Sequence, residues 1–259
     1  MAAVPRIISQ PANGQLTAVF SDIHSNLEAL DAVLADIRRR RISRLFCLGD
    51  VVGYAADPAA CLERVRESRA RLVMGNHDEA VAMENEFTDF EGVSETAAAG
   101  FLYSRSALKA ADLAFLRGLP MVRRAPGCQF VHASLDDPRS WHYIDSDEEA
   151  IHHFEHQSAG VAFCGHTHVP MVVVNGPRRL IAAHGHGTIQ LTRDVPCLVN
   201  VGSVGQPRDG NPLACYVVFD PEHLTVEFCR VPYDMATTMR KIREAGLPAF
   251  TARRLKKAT

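Results

Sequence analysis

Several short apolar runs in this chain end abruptly at polar side chains that can bind a metal ion. The clearest is Leu72-Val73-Met74, which stops at Gly75 and is followed at once by Asn76-His77-Asp78. A polar cluster directly after a buried strand is typical of the point where a rigid scaffold presents functional groups. This feature constrains the fold, because such clusters act together only if the strands that carry them end at a common edge.

Strand-like and helix-like segments alternate in the first part of the chain. Leu16 to Phe20 and Leu45 to Leu48 are β-type runs. Between them, apolar residues recur at helical spacing from Leu27 to Ile37, and Asn26 is placed to cap that helix. A second helix-like stretch and the strand at Leu72 follow. This order predicts a parallel α/β sheet.

The middle of the chain predicts further elements of both kinds. Residues 79–120 have a mainly helical pattern, and two short strands then turn at Pro126-Gly127. A helix over about 147–156 precedes the strand Val161 to Cys164, which ends in Gly165-His166-Thr167-His168. The carboxyl end of this strand therefore carries another metal-capable cluster.

After Pro170 the pattern changes to six consecutive β-type runs separated by turn residues, and Asp234 is placed to cap a last helix. No repeat, low-complexity tract or linker interrupts the chain. We therefore predict a single domain over residues 1–259, with a loose N-terminal arm over 1–15 and a solvated basic tail over 247–259.

Composition excludes several classes of function. A net charge of −2 gives no reason to expect a nucleic-acid polymer or a membrane as partner. The seven cysteines are odd in number and form no Cys-x-x-Cys pair, which favours buried thiols over disulfides or a zinc finger. The N-terminus lacks a signal-peptide pattern, and no apolar run approaches the roughly 18 residues of a membrane span. These observations predict a cytoplasmic protein.

Five predicted strands end in metal-capable side chains. The carboxyl ends of strands in an open α/β sheet converge on one crevice, so clusters far apart in the chain can meet there. Mixed oxygen and nitrogen donors suit borderline divalent transition ions, whereas calcium or magnesium would require nearly all oxygen. Seven ligands exceed the needs of one tetrahedral ion and suit two ions that share a carboxylate. The candidate ligands are Asp22, His24, Asp50, Asn76, His132, His166 and His168.

A lone histidine or aspartate at a strand end is usually only part of a hydrogen-bonded scaffold. Five such clusters in order, three of them beside glycine, favour a metal centre instead. The pair His184-Gly-His186 resembles one of these clusters, but glycine-flanked polar residues are common in turns, so we predict that it lies at the surface. The histidines of the predicted helix over 147–156, namely His152, His153 and His156, are expected on its exposed face.

The ordered motifs resemble those of the calcineurin-like metallophosphoesterases. The motifs are Asp22-x-His24, Gly49-Asp50, Gly75-Asn76-His77-Asp78, His132 and Gly165-His166-x-His168. The resemblance runs from about Leu16 to Val231, and the run from Asn200 to Gly210 is similar to the branch of small bacterial phosphodiesterases. It implies an α/β fold in the form of a four-layer α-β-β-α sandwich. Two mixed β-sheets would be flanked by helices, with a dimetal site at the carboxyl ends of the strands.

By motif position the resemblance implies two divalent transition-metal ions, drawn from Mn, Fe, Ni, Co or Zn. The first would take Asp22, His24, Asp50 and His168. The second would take Asp50, Asn76, His132 and His166, with Asp50 shared between them. Two such ions would supply a hydroxide between them that would attack phosphorus in line.

Two residues beside the implied ligands have no metal assigned. His77 is expected to be catalytic, because as an imidazolium it would stabilise phosphoryl charge or protonate the leaving oxygen. The role of Asp78 is left open, since adjacent side chains tend to diverge and its neighbour His77 would be difficult to orient from there.

The substrate side departs from the phosphatase branch of this superfamily, which carries an arginine shortly after the equivalent of Asp50. Here no arginine occurs before Arg64, which favours small phosphodiesters with a single charge. A phosphomonoesterase acting on phosphoprotein or nucleotide is the alternative, and a non-catalytic scaffold on the same fold is disfavoured by the intact ligand set. The expected partner is a small phosphoester substrate, and formation of a homo-oligomer is left open.

Candidate substrate contacts are Asn26, Tyr54 and Arg208. A structural role explains each of them equally well: Asn26 as a helix cap, Tyr54 as a packed aromatic ring and Arg208 as an arginine in a turn. Trp141 and Tyr143, in the loop after His132, are candidates to cover a nucleobase or a hydrophobic leaving group.

Overall fold

Two six-stranded β-sheets form the centre of the protein in a computed structural model that describes residues 16–83, 93–175, 180–184 and 187–259. The strands, in chain order, are β1 Thr17–Phe20, β2 Arg44–Cys47, β3 Arg71–Leu72, β4 Val122–Ala125, β5 Cys128–Val131, β6 Val161–Cys164, β7 Met171–Asn175, β8 Leu180–His184, β9 Gly187–Gln190, β10 Cys197–Asn200, β11 Ala214–Asp220 and β12 Thr225–Val231.

Both sheets are mixed. The first has the order β3-β2-β1-β11-β12-β9, with β1, β2 and β3 parallel and β11 antiparallel to β1. The second has the order β4-β5-β6-β10-β7-β8, with β5, β6 and β10 parallel. The predicted late β-type runs therefore do not form one sheet, because β9, β11 and β12 join the first sheet while β7, β8 and β10 join the second.

Eight helices accompany the sheets in the described residues. They are α1 Leu27–Arg39, α2 Pro58–Glu67, α3 Asn76–Ala82, α4 Glu95–Ala107, α5 Ala110–Arg117, α6 Asp147–His156, α7 Met235–Glu244 and α8 Ala249–Lys257. The predicted caps are confirmed: Asn26 accepts a hydrogen bond from the Ala29 N–H at 3.2 Å, and Asp234 accepts one from the Thr237 N–H at 3.1 Å.

Alternation along the strands explains the four layers. In β1, Ala18 and Phe20 pack against α1 and α2, whereas Val19 faces the space between the sheets. Phe46 of the first sheet stacks on Phe130 of the second, with ring centroids 3.7 Å apart. The far side of the second sheet is covered by α6. The predicted α-β-β-α sandwich is confirmed, and strands that are buried on both faces, such as β6, read as short apolar runs.

Several expectations need correction. The third strand is only two residues long, because the Met74 N–H leaves the sheet and donates to the Pro120 carbonyl at 2.9 Å. The tail over 247–259 is not solvated, since most of it forms α8, whose Ala252 and Leu255 are buried against α7. His153 is fully buried, unlike its exposed neighbours on α6, because its Nδ1 accepts the Leu135 N–H at 3.2 Å.

Other expectations are confirmed or lie beyond the described residues. All seven cysteines are buried and free. Within the described segments, no helix is long and apolar enough to cross a membrane. The predicted N-terminal arm over 1–15 lies outside the described residues, as do part of the helical segment, 84–92, and His186 of the pair predicted at the surface.

Candidate metal centre

The seven candidate ligands meet where the carboxyl ends of strands from both sheets converge. The segments after β1, β2 and β3 bring in the ligands from the first half of the chain, and the segments after β5 and β6 bring in the histidines of the second half. Six of the seven are buried and Asn76 is partly exposed. A parallel arrangement of strands within each sheet is what points their carboxyl ends to a common edge.

One cluster gathers around Asp22. Its Oδ1 lies 3.3 Å from His168 Nε2 and 3.8 Å from His24 Nε2, and the two Nε2 atoms lie 3.1 Å apart. Two ligands of the same ion, each at about 2.1 Å from it, are separated by roughly 3.0–3.5 Å. The spacing of these donors therefore suits a single transition-metal ion.

A second cluster gathers around His132. Its Nε2 lies 3.0 Å from Asn76 Oδ1 and 3.2 Å from His166 Nδ1. Asp50 belongs to both clusters, because its Oδ2 lies 3.4 Å from His132 Nε2 and 3.7 Å from His24 Nε2. A carboxylate in this position can bind two cations, one through each oxygen or both through a shared one.

Backbone carbonyls fix which nitrogen each histidine presents. A carbonyl only accepts hydrogen bonds, so the ring nitrogen beside it carries the proton and the other nitrogen of a neutral ring presents a lone pair. The contacts are His24 Nδ1 to Val52 O at 3.3 Å, His132 Nδ1 to Leu48 O at 2.7 Å, His168 Nδ1 to Gln206 O at 2.6 Å and His166 Nε2 to Trp141 O at 2.9 Å.

This tautomer assignment tests whether metal ions fit. The Nε2 atoms of His24 and His168 face each other at 3.1 Å with no proton between them when both rings are neutral. Asp22 Oδ1 is buried and has no hydrogen-bond donor among the described residues. Opposed lone pairs and an unsatisfied buried carboxylate oxygen are both costly, and a cation between them removes the cost. The donor set therefore fits divalent metal ions.

The protonation of the two aspartates agrees with ligand roles. Burial by itself would raise the pKa of Asp22, but the neighbouring His168 brings it below its usual range. Burial likewise opposes ionisation of Asp50, yet His132 and His77 hold the pKa of this carboxyl well below its ordinary value. Both carboxylates are thus ionised at neutral pH and available to cations.

Five of the seven ligand residues have left-handed backbone, which L-residues other than glycine rarely adopt. Such a conformation costs roughly 1–3 kcal/mol each and persists only where the surroundings impose it. The surrounding structure therefore has to hold the backbone of these five residues in place. The φ values are 56° at Asp22, 50° at His24, 52° at Asp50, 67° at His166 and 61° at His168.

Two of the glycines in the motifs are explained by close approach of the ligand carboxylates. A Cβ at Gly75 would lie 2.1 Å from Asp50 Oδ1, and one at Gly165 would lie 2.4 Å from Asp22 Oδ2. Both distances are far below van der Waals contact, so any side chain at these positions would displace a ligand.

Asp78, whose role the sequence left open, ties two loops together. Its Oδ1 accepts the Val51 N–H at 2.9 Å, and its Oδ2 accepts the Gly75 N–H at 3.2 Å. Burial, together with the charge of Asp50, raises the pKa of Asp78 to about 7. Asp78 therefore holds the segment after Asp50 against the first turn of α3.

His77 lies inside the centre rather than at its rim. Its ring centroid is 4.5 Å from that of His24 and 4.7 Å from those of Tyr54 and Phe101, and its Nε2 is 4.0 Å from Asp50 Oδ2. Burial lowers the pKa of His77 to about 4, so the ring is neutral near pH 7. This differs from the imidazolium predicted from the sequence. A neutral ring keeps one N–H that can donate a hydrogen bond.

The three candidate substrate residues have different positions. Tyr54 packs against the rings of His24 and His77, with centroids 4.8 and 4.7 Å away. The backbone N–H of Arg208 donates a hydrogen bond to the His168 carbonyl at 3.2 Å. Burial lowers the pKa of His168, and the charge of Arg208 lowers it further. The structure therefore places Tyr54 and Arg208 beside the centre.

The side chain of Asn26 does not face the metal centre. Its side chain is fully buried and its amide donates to the Gly205 carbonyl at 2.9 Å. Its oxygen accepts the helix-capping N–H and the Thr238 hydroxyl, at 3.2 and 3.0 Å. Because both ends of the amide are engaged, the helix-cap interpretation accounts for Asn26.

The loop after His132 contacts His166 of the second cluster. The Trp141 carbonyl holds His166, its indole Nε1 donates to Glu79 Oε2 at 3.0 Å, and Tyr143 stacks on His166 with centroids 4.1 Å apart. Sequence reasoning could not find the four orienting carbonyls, since every residue carries one. It also missed the helix α8, whose signal was the helical spacing of Thr251, Ala252, Leu255 and Ala258 in the supposed tail.

Comparisons with known proteins agree with this geometry. Residues 16–223 match the model of the calcineurin-like phosphoesterase superfamily domain. An uncharacterized protein of Methanocaldococcus jannaschii is 37% identical over 246 residues, which is 93% of this chain and 97% of that protein.

Solved structures are similar as well. A metallophosphoesterase from Sphaerobacter thermophilus has a TM-score of 0.85 and 33% identity, over 95% of this chain and all of that one. A hypothetical protein from Pyrococcus horikoshii shares the fold with a TM-score of 0.76 at 19% identity, over 94% of this chain and 98% of the other.

The protein is thus a sandwich of two mixed sheets with buried clusters of histidine and aspartate at its strand ends that could hold metal ions. The chain belongs to the calcineurin-like phosphoesterase superfamily.

Proposed function

We propose that this protein is a dimetal phosphoesterase that hydrolyses small phosphodiesters. The observation that carries the proposal is the pair of donor clusters around Asp50, with histidine lone pairs turned inward by backbone carbonyls. The first ion is assigned to Asp22, His24, Asp50 and His168. The second is assigned to Asp50, Asn76, His132 and His166.

The chain's own groups have separate tasks in such a reaction. When bound, two divalent cations supply Lewis-acid activation of the attacking water and of the phosphoryl oxygens. The backbone N–H of His77 donates a hydrogen bond to Asp50 Oδ1 at 2.8 Å, so Asp50 Oδ2 stays directed at both clusters. We assign the His77 side chain as a neutral hydrogen-bond donor to the phosphoryl group or the leaving oxygen.

The region after Asp50 supports a diester. Val51 and Val52 are fully buried there, and their N–H groups bind Asp78, so no cation from this segment reaches the centre. A diester carries one negative charge and needs less cationic support than a phosphate dianion. The opposing observation is Arg208, which reaches the centre from far along the chain and favours the phosphomonoesterase alternative.

Turnover of matched model substrates separates these alternatives. The protein loaded with manganese should split bis-p-nitrophenyl phosphate faster than free manganese does, and faster than it splits p-nitrophenyl phosphate. A preference for the monoester would make the protein a phosphomonoesterase. No acceleration of either substrate would leave the scaffold interpretation.

A matched pair of variants ties activity to the centre. His24→Ala removes a proposed ligand, whereas His152→Ala removes an exposed histidine of α6. We expect loss of activity only in the first. The same assay across Mn, Fe, Ni, Co, Zn and Mg identifies the effective metal, which we infer to be a transition ion from the nitrogen-rich donor set.

The net charge of −2 supports a small substrate over a nucleic-acid polymer, and the seven free thiols support a cytoplasmic location.

A further inference from the structure

The C-terminal helix α8 is fastened beside the metal centre. Its Ala252 and Leu255 pack in one apolar cluster with Ala55, the residue that follows Tyr54. At the other end of the helix, the Ala258 carbonyl accepts the Gly210 N–H at 3.0 Å, two residues beyond Arg208. The helix therefore touches both segments that carry the substrate-side residues.

This attachment brings two arginines together. Arg254 of α8 is partly buried and donates through Nε to the Thr259 main-chain oxygen at 2.5 Å. Burial and the charge of Arg208 lower the pKa of Arg254, while the Tyr54 hydroxyl acts in the opposite direction. The attachment of α8 beside Ala55 and Gly210 thus brings Arg254 into the neighbourhood of Tyr54 and Arg208.

No aspartate or glutamate side chain within the described segments forms an ion pair with Arg208 or Arg254. Arg208 donates to the uncharged Gln206 Oε1 at 3.1 Å, and its buried Nε has no partner there. Other arginines of the described chain form ion pairs with carboxylates, such as Arg230 with Asp209. Two like charges held together without a counter-charge are unfavourable, and a bound anion removes that cost.

The charge balance indicates what the anion belongs to. Two divalent cations and the carboxylates of Asp22 and Asp50 leave a net charge of about +2. A phosphodiester carries a single negative charge, so the metal positions alone are sufficient for it. Two further positive charges serve a substrate with an additional anionic group, and paired guanidinium groups match phosphate oxygens in geometry.

On the basis of the proposed function, we propose that Arg208, Arg254 and Tyr54 form a subsite for a second phosphate group. The preferred substrates are then phosphoesters that carry a further phosphate beside the scissile one. Tyr54 connects the two sites, because its ring packs on His24 and His77 while its hydroxyl lies with the arginines.

Binding of non-hydrolysable phosphonates tests the subsite without requiring turnover. Calorimetry with the manganese-loaded protein would compare propylphosphonate with alkane bisphosphonates that have two to four carbons between the phosphorus atoms. We expect at least one bisphosphonate to bind about tenfold more tightly than the monophosphonate, as a charge-assisted contact predicts. Equal affinity for the monophosphonate and every bisphosphonate overturns the proposal.

Neighbouring arginines of α8 provide a matched control. Arg254→Gln should weaken bisphosphonate binding more than propylphosphonate binding and so remove the preference, whereas Arg253→Gln, at an exposed arginine of the same helix, should keep it. An unaltered preference in Arg254→Gln, or its equal loss in Arg253→Gln, contradicts the assignment. If Arg254→Gln fails to fold, Arg254→Lys should retain the preference, and rising salt should diminish it.

Failure of the subsite and failure of the proposed function give different results. A protein that binds propylphosphonate in a manganese-dependent manner but shows no bisphosphonate preference lacks the subsite only. A protein that binds neither compound, with or without manganese, lacks the metal centre on which the proposed function depends.

Discussion

The two ligand clusters share Asp50 but differ in charge and exposure. The cluster of Asp22, His24 and His168 is almost fully buried and has its own carboxylate. The cluster of Asn76, His132 and His166 has a neutral amide in the corresponding place, and Asn76 is partly exposed. A buried carboxylate holds a cation more firmly than an exposed amide does. We therefore expect a tight first position and a more exchangeable second one.

The largest effect is expected for the residue that the clusters have in common. Asp50→Ala removes the only ligand shared by both positions, so metal content should fall well below one ion per chain. Turnover should fall by at least about 10⁴-fold, because the electrostatic stabilisation of the reacting phosphate is lost. Elemental analysis measures the metal content, and the diester assay measures the turnover. Asp31→Ala, at a partly exposed aspartate on α1, is the control, and retention of one full ion in Asp50→Ala would show that the clusters are independent.

His77 separates chemistry from metal binding. His77→Ala should keep both ions and lower kcat by roughly 10²–10⁴-fold, as loss of a proton-carrying group does. Loss of metal to the same extent as in Asp50→Ala would instead make His77 a ligand, a role that its position near His24 and Asp50 also allows.

The difference between the clusters can be measured directly. Titration of the metal-free protein with manganese should show two steps. Asp22→Asn should weaken the tight step and Asn76→Ala the weak one, each by about 10- to 100-fold, with the larger change for Asp22 because it removes a buried charge. Calorimetry resolves the steps. The reverse order of effects would mean that exposure, and not charge, governs affinity.

The smallest effect is expected beside the first cluster. Arg208→Gln should raise KM about tenfold for a diester that carries a second phosphate group and change kcat little, because the guanidinium contributes binding that is equal in ground and transition states. Arg193→Gln, at an exposed arginine, is the matched control. An equal loss in kcat would place Arg208 in the transition-state contacts.

Much of the fold was predictable because its signals are local. The apolar runs, the turn at Pro126-Gly127 and the caps at Asn26 and Asp234 each depend on a few neighbouring residues. The segment over 247–259 was wrongly predicted to be a solvated tail, because its burial is not a local signal. Four basic residues dominate its sequence, while its burial depends on α7 and Ala55, which no local pattern reveals.

The sequence by itself determined the identity and order of the candidate ligands, because residue type and position after a strand are written in the chain. The resemblance of the motifs already implied how they are divided between two ions. Only the tertiary structure decided which nitrogen each histidine presents, and that Asp78 ties the segment after Asp50 to the first turn of α3. It also decided that α8 brings Arg254 into the neighbourhood of Tyr54 and Arg208. These properties depend on distances between segments, on carbonyls that every residue possesses and on burial, all of which arise only when the two sheets pack.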